Sequence, residues 1–169
     1  MLIVFSGLPG TGKTSIAREL ARRIRAAYLR IDTVEQALRA CGTLEEIMEE
    51  GYETAYRVAK DNLELGLTVI ADAVNGVEIA REAWAGVAQA ASTSLINVEI
   101  ICSDEREHRR RVETRSSDVS GLVLPTWEEI KNRHYQPWSR PRIRIDTAGR
   151  RVDDCVDALE SELDAFGAS

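Results

Sequence analysis

Residues Gly7-Leu8-Pro9-Gly10-Thr11-Gly12-Lys13-Thr14 fill every fixed position of the pattern G-x-x-x-x-G-K-[ST]. The chemistry of such an octet is anion binding. Glycines let the backbone close around a phosphate with successive N–H groups turned inward, and a helix that follows at once adds the positive end of its dipole. Lys13 is placed to reach the β- and γ-phosphates of a nucleotide, and the Thr14 hydroxyl to ligate Mg2+. The candidate nucleotide cradle is Gly7, Gly10, Thr11, Gly12, Lys13, Thr14 and Ser15. It lies between a short apolar run, Leu2 to Phe5, and a helical pattern, the context that separates this motif from a chance glycine-rich turn. Alone, the octet says only that a nucleotide is held.

Two acids end apolar runs: Asp32 in YLRID and Asp72 in TVIAD. In an open parallel sheet, ligands sit beyond the carboxyl ends of the strands. Asp32 there can accept the proton of an attacking hydroxyl; it serves equally well as the N-cap of a helix starting at Thr33. Asp72 has the position of an acid that supports a metal beside a phosphate loop, with a strand-end cap as its bland alternative. Asn75 either hydrogen-bonds a substrate hydroxyl or turns the chain before Gly76. Arg111 and Arg115, in DEREHRRRVETR, stand one helical turn apart. Planar guanidinium groups suit phosphate oxygens and the charge that develops during transfer. That segment is polar almost all round, which predicts a solvent-facing lid ordered by a ligand. Thr147, in IDTAG, is the candidate on the adenine side.

These residues need elements to hold them. Apolar runs at Leu2–Phe5, 27–31, 67–71 and 95–102 read as strands of a buried parallel sheet. Ile16, Leu20 and Ile24 mark a helix face after the octet, and Ala80, Trp84, Val87 and Ala91 another. Leu44, Ile47, Met48, Tyr52, Ala55, Ala59 and Leu63 predict one long helix ended by Gly66. Trp127 to Tyr135 reads as a short helix. SRPRIRID alternates Ile143 and Ile145 with arginines, as an edge strand with one wet face does. Val152, Cys155, Val156, Leu159, Leu163 and Phe166 outline a closing helix. Strands alternating with helices imply a sheet covered on both sides.

Composition narrows the function classes. The net charge of -6 argues against charge-driven nucleic-acid binding. No apolar run reaches membrane-spanning length, and no signal peptide leads the chain. Cys41, Cys102 and Cys155 lack metal or disulfide spacing and read as small core residues in a reducing cytosol. His108 and His134 read as surface residues, and Trp127, Tyr135 and Trp138 as packing on the substrate side.

Together GLPGTGKTS, RIDT, GLTVIADAVN, RRRVETR, YQPW and the late IDT resemble the small P-loop kinase group over roughly residues 1–147. That group includes AAA_33-type bacterial kinases, the kinase domain of polynucleotide kinases, gluconate and shikimate kinases, and chloramphenicol phosphotransferase. The resemblance implies a three-layer α/β P-loop NTPase fold: a five-stranded parallel sheet in the order 2-3-1-4-5, helices on both faces, and an arginine-bearing lid. The length of 169 residues predicts a single domain over residues 1–169, and the resemblance a lid at about 104–125. The resemblance also implies phosphoryl transfer from Mg-ATP to a hydroxyl. Lys13 and Thr14 then hold phosphate and Mg2+, Asp32 is the base, Asp72 the metal-side acid, and Arg111 and Arg115 the lid arginines. Many relatives carry an arginine three positions after the base, where this chain has Glu35. IDTVEQA is similar to the matching segment of chloramphenicol phosphotransferase, which favours a small-molecule hydroxyl acceptor in a cytoplasmic monomer or homodimer. The alternatives are a polynucleotide 5′-hydroxyl kinase, disfavoured by the acidic balance, and a nucleotide-binding regulatory module. A GTP switch lacks its N-K-x-D or T-K-x-D motif here.

Overall fold

The computed structural model describes residues 1–42 and 49–167. The chain runs β1 (Leu2–Ser6), α1 (Lys13–Ile24), β2 (Ala27–Arg30), α2 (Ile31–Ala40), α3 (Glu50–Glu64), β3 (Val69–Asp72) and α4 (Glu78–Ala90). It continues through β4 (Leu95–Ile101), α5 (Glu105–Thr114), α6 (Trp127–Lys131), β5 (Ile143–Asp146) and α7 (Val152–Gly167). The five strands form one sheet, all parallel, in the order β2-β3-β1-β4-β5. This is the order that the resemblance implied.

The central strand explains the layers. All five residues of β1 are buried, and alternate side chains face opposite ways. Ile3 and Phe5 join Ile16, Leu20, Ile70, Val98, Ile100, Val156 and Leu159 in a core beneath α1 and α7. Leu2 and Val4 join Ile31, Ala55, Ala59, Val69, Ala71 and Trp84 in a second core beneath α3 and α4. Two dry faces account for the unbroken apolar strands. β5 is an edge, with Ile143 and Ile145 inward and Arg144 exposed.

Several element readings change. α2 starts at Ile31 with Arg30 as its N-cap, so Asp32 lies inside the first turn and does not cap the helix. α3 carries the Tyr52, Ala55, Ala59, Leu63 face, while Leu44, Ile47 and Met48 lie outside the described residues. α6 ends at Lys131, short of Tyr135, after a capping box between Thr126 and Glu129. On α7, Cys155, Val156 and Leu159 are buried, but Val152 and Phe166, at the two ends of the helix, are exposed. Cys41, read as a core residue, is exposed at the C-terminus of α2; Cys102 is half-buried and Cys155 is in the core.

Candidate active site at the carboxyl edge of the sheet

The glycine loop joins β1 to α1 through left-handed backbone at Gly7, Gly10 and Gly12. Two of these positions also admit no side chain. A Cβ on Gly7 would lie 2.3 Å from the Ile100 carbonyl oxygen, and one on Gly10 would lie 2.5 Å from Val112 Cγ2. The loop is thus wedged between β4 below and α5 above. Thr11 turns inward, its hydroxyl donating to the Leu8 carbonyl at 2.9 Å. Gly10, Gly12, Lys13, Thr14 and Ser15 line a cavity of about 1000 Å³, whereas Gly7 and Thr11 support the loop from behind.

Asp72, at the end of β3, is buried and bonds Lys13 Nζ through Oδ1. Tyr28 donates its hydroxyl to Asp72 Oδ2 at 2.7 Å, and the Thr14 side chain also hydrogen-bonds the carboxylate. Burial pushes the Asp72 carboxyl up, but the charge and hydrogen bond of Lys13, with the bonds from Tyr28 and Thr14, hold it below its ordinary value. Burial and the neighbouring Asp72 charge push the Tyr28 hydroxyl up, so it remains a donor. Thr14 and Asp72 offer hard oxygen atoms beside the phosphate cradle, a donor set that suits Mg2+. Among the described residues no group of three or more His, Cys, Asp or Glu side chains could hold a metal. Mg2+ needs no such cage, since it keeps several waters and takes one or two protein ligands plus phosphates.

Asp32 lines the same cavity, half-exposed, with Arg30 Nε at 3.3 Å from Oδ2. Arg30 also reaches Asp118 of the loop after α5, NH1 to Oδ1 at 2.7 Å. Asp118 takes a second arginine, Arg18 NH1, at 2.5 Å from Oδ2. The hydrogen bond from Arg30, reinforced by Arg18, brings the Asp118 carboxyl down to about 2. One aspartate of the lid loop thereby bridges β2 and α1.

The two lid arginines differ. Arg111 donates to Thr147 Oγ1 at 2.8 Å, to the Thr147 carbonyl at 2.9 Å and to Glu107 at 2.7 Å. Arg115, the C-cap of α5, has buried Nε and NH2 atoms without a partner among the described residues, and both arginines line the cavity. Burial pulls its guanidinium down, with Asp32 opposing that and Arg30 adding to it. A buried, unpaired donor facing a cavity is costly unless a ligand fills it.

The structure bears on four sequence readings. Asn75 is buried and outside the cavity lining: its backbone is left-handed (φ 46), its amide donates to the Phe5 carbonyl at 2.9 Å, and its oxygen accepts from Trp84 at 3.2 Å. Both ends of the amide are spent in the core, which leaves the turning role. The Thr147 hydroxyl lies 2.8 Å from the Thr11 carbonyl and 3.0 Å from that of Ile101. Thr147 thus struts the loop from the end of β5 while lining the cavity. His108 is buried and bonds the Pro9 carbonyl through Nε2 at 2.9 Å, while its ring meets Trp127 edge-on; His134 is exposed as expected. The lid helix has an apolar anchor after all, since Val112 packs with Trp127, Ile130 and Leu8.

Tyr135 and Trp138 flank buried Arg81, whose guanidinium carbon lies 4.0 Å from the Trp138 ring centre. Arg81 fixes the segment after α6 by donating to the carbonyls of Asn75, Gln136 and Pro137. Sequence reasoning missed Tyr28, Arg30, Asp118 and Arg81. Only Arg30 carried a local signal, standing two residues before Asp32.

The AAA_33 family model, an AAA domain, matches residues 2–137. The chain belongs to this family. The AAA_33 match spans β1 to α6 and so takes in the glycine loop, Asp32, Asp72 and both lid arginines, leaving β5, Thr147 and α7 beyond it. No curated protein matches the chain significantly. Solved structures share the fold along nearly the whole length. An APS kinase CysC of Mycobacterium tuberculosis in complex with AMPPNP and APS is 21% identical, with a TM-score of 0.69 and 96% of each chain covered. Chaetomium thermophilum Kti12 in complex with ADP-AlF3 is 23% identical, with a TM-score of 0.69, covering 95% of this chain and 98% of that one. A gluconokinase of Sinorhizobium meliloti is 17% identical, with a TM-score of 0.64, covering 99% and 97%.

Proposed function

We propose that this chain is a kinase that transfers the γ-phosphoryl group of Mg-ATP to a hydroxyl of a small molecule. The observation that carries the proposal is one cavity of about 1000 Å³ lined at once by the phosphate loop, Asp32 and the unpartnered Arg115. A module that only holds a nucleotide has no use for a half-exposed carboxylate facing that cavity. The fold is shared with an APS kinase and a gluconokinase, proteins named for small hydroxyl acceptors.

Each residue then has a task. The loop N–H groups and Lys13 hold the β- and γ-phosphates, Lys13 turning from Asp72 to do so. Thr14 and Asp72 would hold Mg2+, which would supply neutralisation of the phosphate charge. Asp32 accepts the acceptor proton as the hydroxyl oxygen attacks the γ-phosphorus and the bond from that phosphorus to the β-bridging oxygen breaks. Arg115 meets the charge spreading over the transferring group. Arg111 keeps α5 seated on the Thr147 strut.

The test is ADP release from Mg-ATP across a panel of hydroxyl compounds and a 5′-hydroxyl oligonucleotide. At least one small molecule is expected to raise release above the rate in water alone. Stimulation by the oligonucleotide alone would instead support the polynucleotide kinase reading. Tight ATP binding without stimulation by any compound would favour a regulatory module.

A further inference from the structure

Asp72 has more to do than its motif position says, and a neighbour from another strand shares the task. β2 and β3 are parallel with Tyr28 opposite Ile70, so Tyr28 shares a sheet face with Ile70 and with Asp72 two residues on. Ile3 and Phe5 hold the same face on β1, opposite Ile70 and Asp72. α1 covers this face and brings Lys13 and Thr14 to it. The register therefore delivers the Tyr28 hydroxyl to Asp72 Oδ2, while Lys13 holds Oδ1 from the other side.

These two donors are not equivalent. Lys13 is a cation on a long flexible stem, and phosphate binding draws it away. Tyr28 is a neutral donor on a strand, half-buried, with the Arg18 guanidinium carbon 6.0 Å from its ring centre. When Lys13 leaves, the Tyr28 hydroxyl still fixes the plane of the carboxylate and leaves its full negative charge for a cation. Without Tyr28 the carboxylate would keep only the Thr14 side chain, itself the other oxygen donor offered to the metal, and its last torsion, whose wells are broad, would be less constrained.

We propose that Tyr28 is a positioning residue for the metal side of the site: it holds Asp72 in place when Lys13 turns to the phosphates, and so sets how strongly Mg2+ supports nucleotide binding. The inference rests on the kinase reading only for the identity of the ligands. Its readout is metal-dependent binding, which requires no transfer.

Tyr28→Phe removes one oxygen and keeps the ring against α1. Calorimetric titration of ATP is run in EDTA and at rising Mg2+, with Asp72→Ala and the double variant alongside. Tyr28→Phe is expected to leave ATP affinity in EDTA within twofold and to raise the Mg2+ concentration for half-maximal enhancement about tenfold, the scale of one hydrogen bond to a charged group. In the Asp72→Ala background the same substitution is expected to change nothing. Equal losses with and without Mg2+ would show a loosened fold and overturn the proposal. An unchanged Mg2+ requirement, or an effect that persists without Asp72, would overturn it too. Failure of ATP to bind the wild-type protein at all would strike at the kinase reading itself, a result distinct from these.

Discussion

Arg111 and Arg115 look interchangeable in the sequence, one turn apart in a run of arginines. The structure separates them by what their nitrogens touch. Arg115→Ala is expected to lower kcat about 10²–10³-fold with ATP affinity nearly unchanged, as loss of a group that stabilises transition-state charge does. Arg111→Ala removes three hydrogen bonds to Thr147 and Glu107. Its expected signature is a lower melting temperature with a smaller loss of turnover, read by calorimetry beside steady-state kinetics. The Lys13–Asp72 pair makes a further residue-scale case. Its partners' side chains are 9% and 0% exposed, and Lys13→Ala strands the carboxylate, at a cost of about 3–5 kcal/mol near neutral pH. Asp72 sits below its ordinary value of 3.8 in the folded chain. Its contribution to stability is therefore complete above about pH 4 and is lost as acid protonates it. In Lys13→Ala burial acts against the charge, so denaturant titrations are expected to show that acidification relieves part of the deficit. The glycine pattern placed Lys13 and a strand end placed Asp72, while Asp32, in the first turn of α2, lines the same cavity as Lys13. Asn75 and Thr147 also bond backbone carbonyls, which no local pattern shows, because a polar side chain near a strand end serves the backbone as readily as a ligand.

At the scale of elements, strands and most helices followed from periodicity, since each has a face that must stay dry. α5 was the exception. Its buried side chains are Val112 and His108 alone among ten residues, too few to make a stripe. What seats it lies elsewhere in the chain: the missing Cβ of Gly10, the Pro9 carbonyl and the ring of Trp127. Gly10→Ala, at φ 86 and against Val112, is expected to weaken ATP binding at least tenfold and to unseat α5, seen as faster amide exchange over residues 105–114. Asp118 closes the lid on the far side through Arg18 and Arg30, a contact spanning 88 residues from Arg30 that no local pattern encodes. Asp118→Asn is expected to speed amide exchange in the loop after α5 while α5 itself stays protected. Equal exchange across both segments would contradict the division between latch and anchor. A second element-scale device faces Asp32. Gly51 in α3 makes room for Glu35 on α2, since a Cβ there would lie 2.5 Å from Glu35 Cγ. Glu35 lines the cavity, and burial raises its carboxyl. Gly51→Ala is expected to shift the acceptor KM and leave the ATP KM alone.

For the whole molecule, the sheet order was not written in any local stretch. It came from resemblance, and the registry of β1 between β3 and β4 bears it out. That order sets the glycine loop after the central strand and Asp72 on the neighbour, with Asp32 one strand further out, so the proposed nucleotide and acceptor sites lie along one edge. The central claim is transfer through that shared cavity, and Asp32→Asn tests it most directly. With the acceptor that stimulates ADP release, single-turnover transfer from γ-labelled ATP is measured for wild type and variant, alongside ATP affinity. Asp32→Asn is expected to lower the transfer rate about 10²–10⁴-fold, the range for removing a general base, with ATP affinity within twofold. An unchanged transfer rate in Asp32→Asn would contradict the central claim.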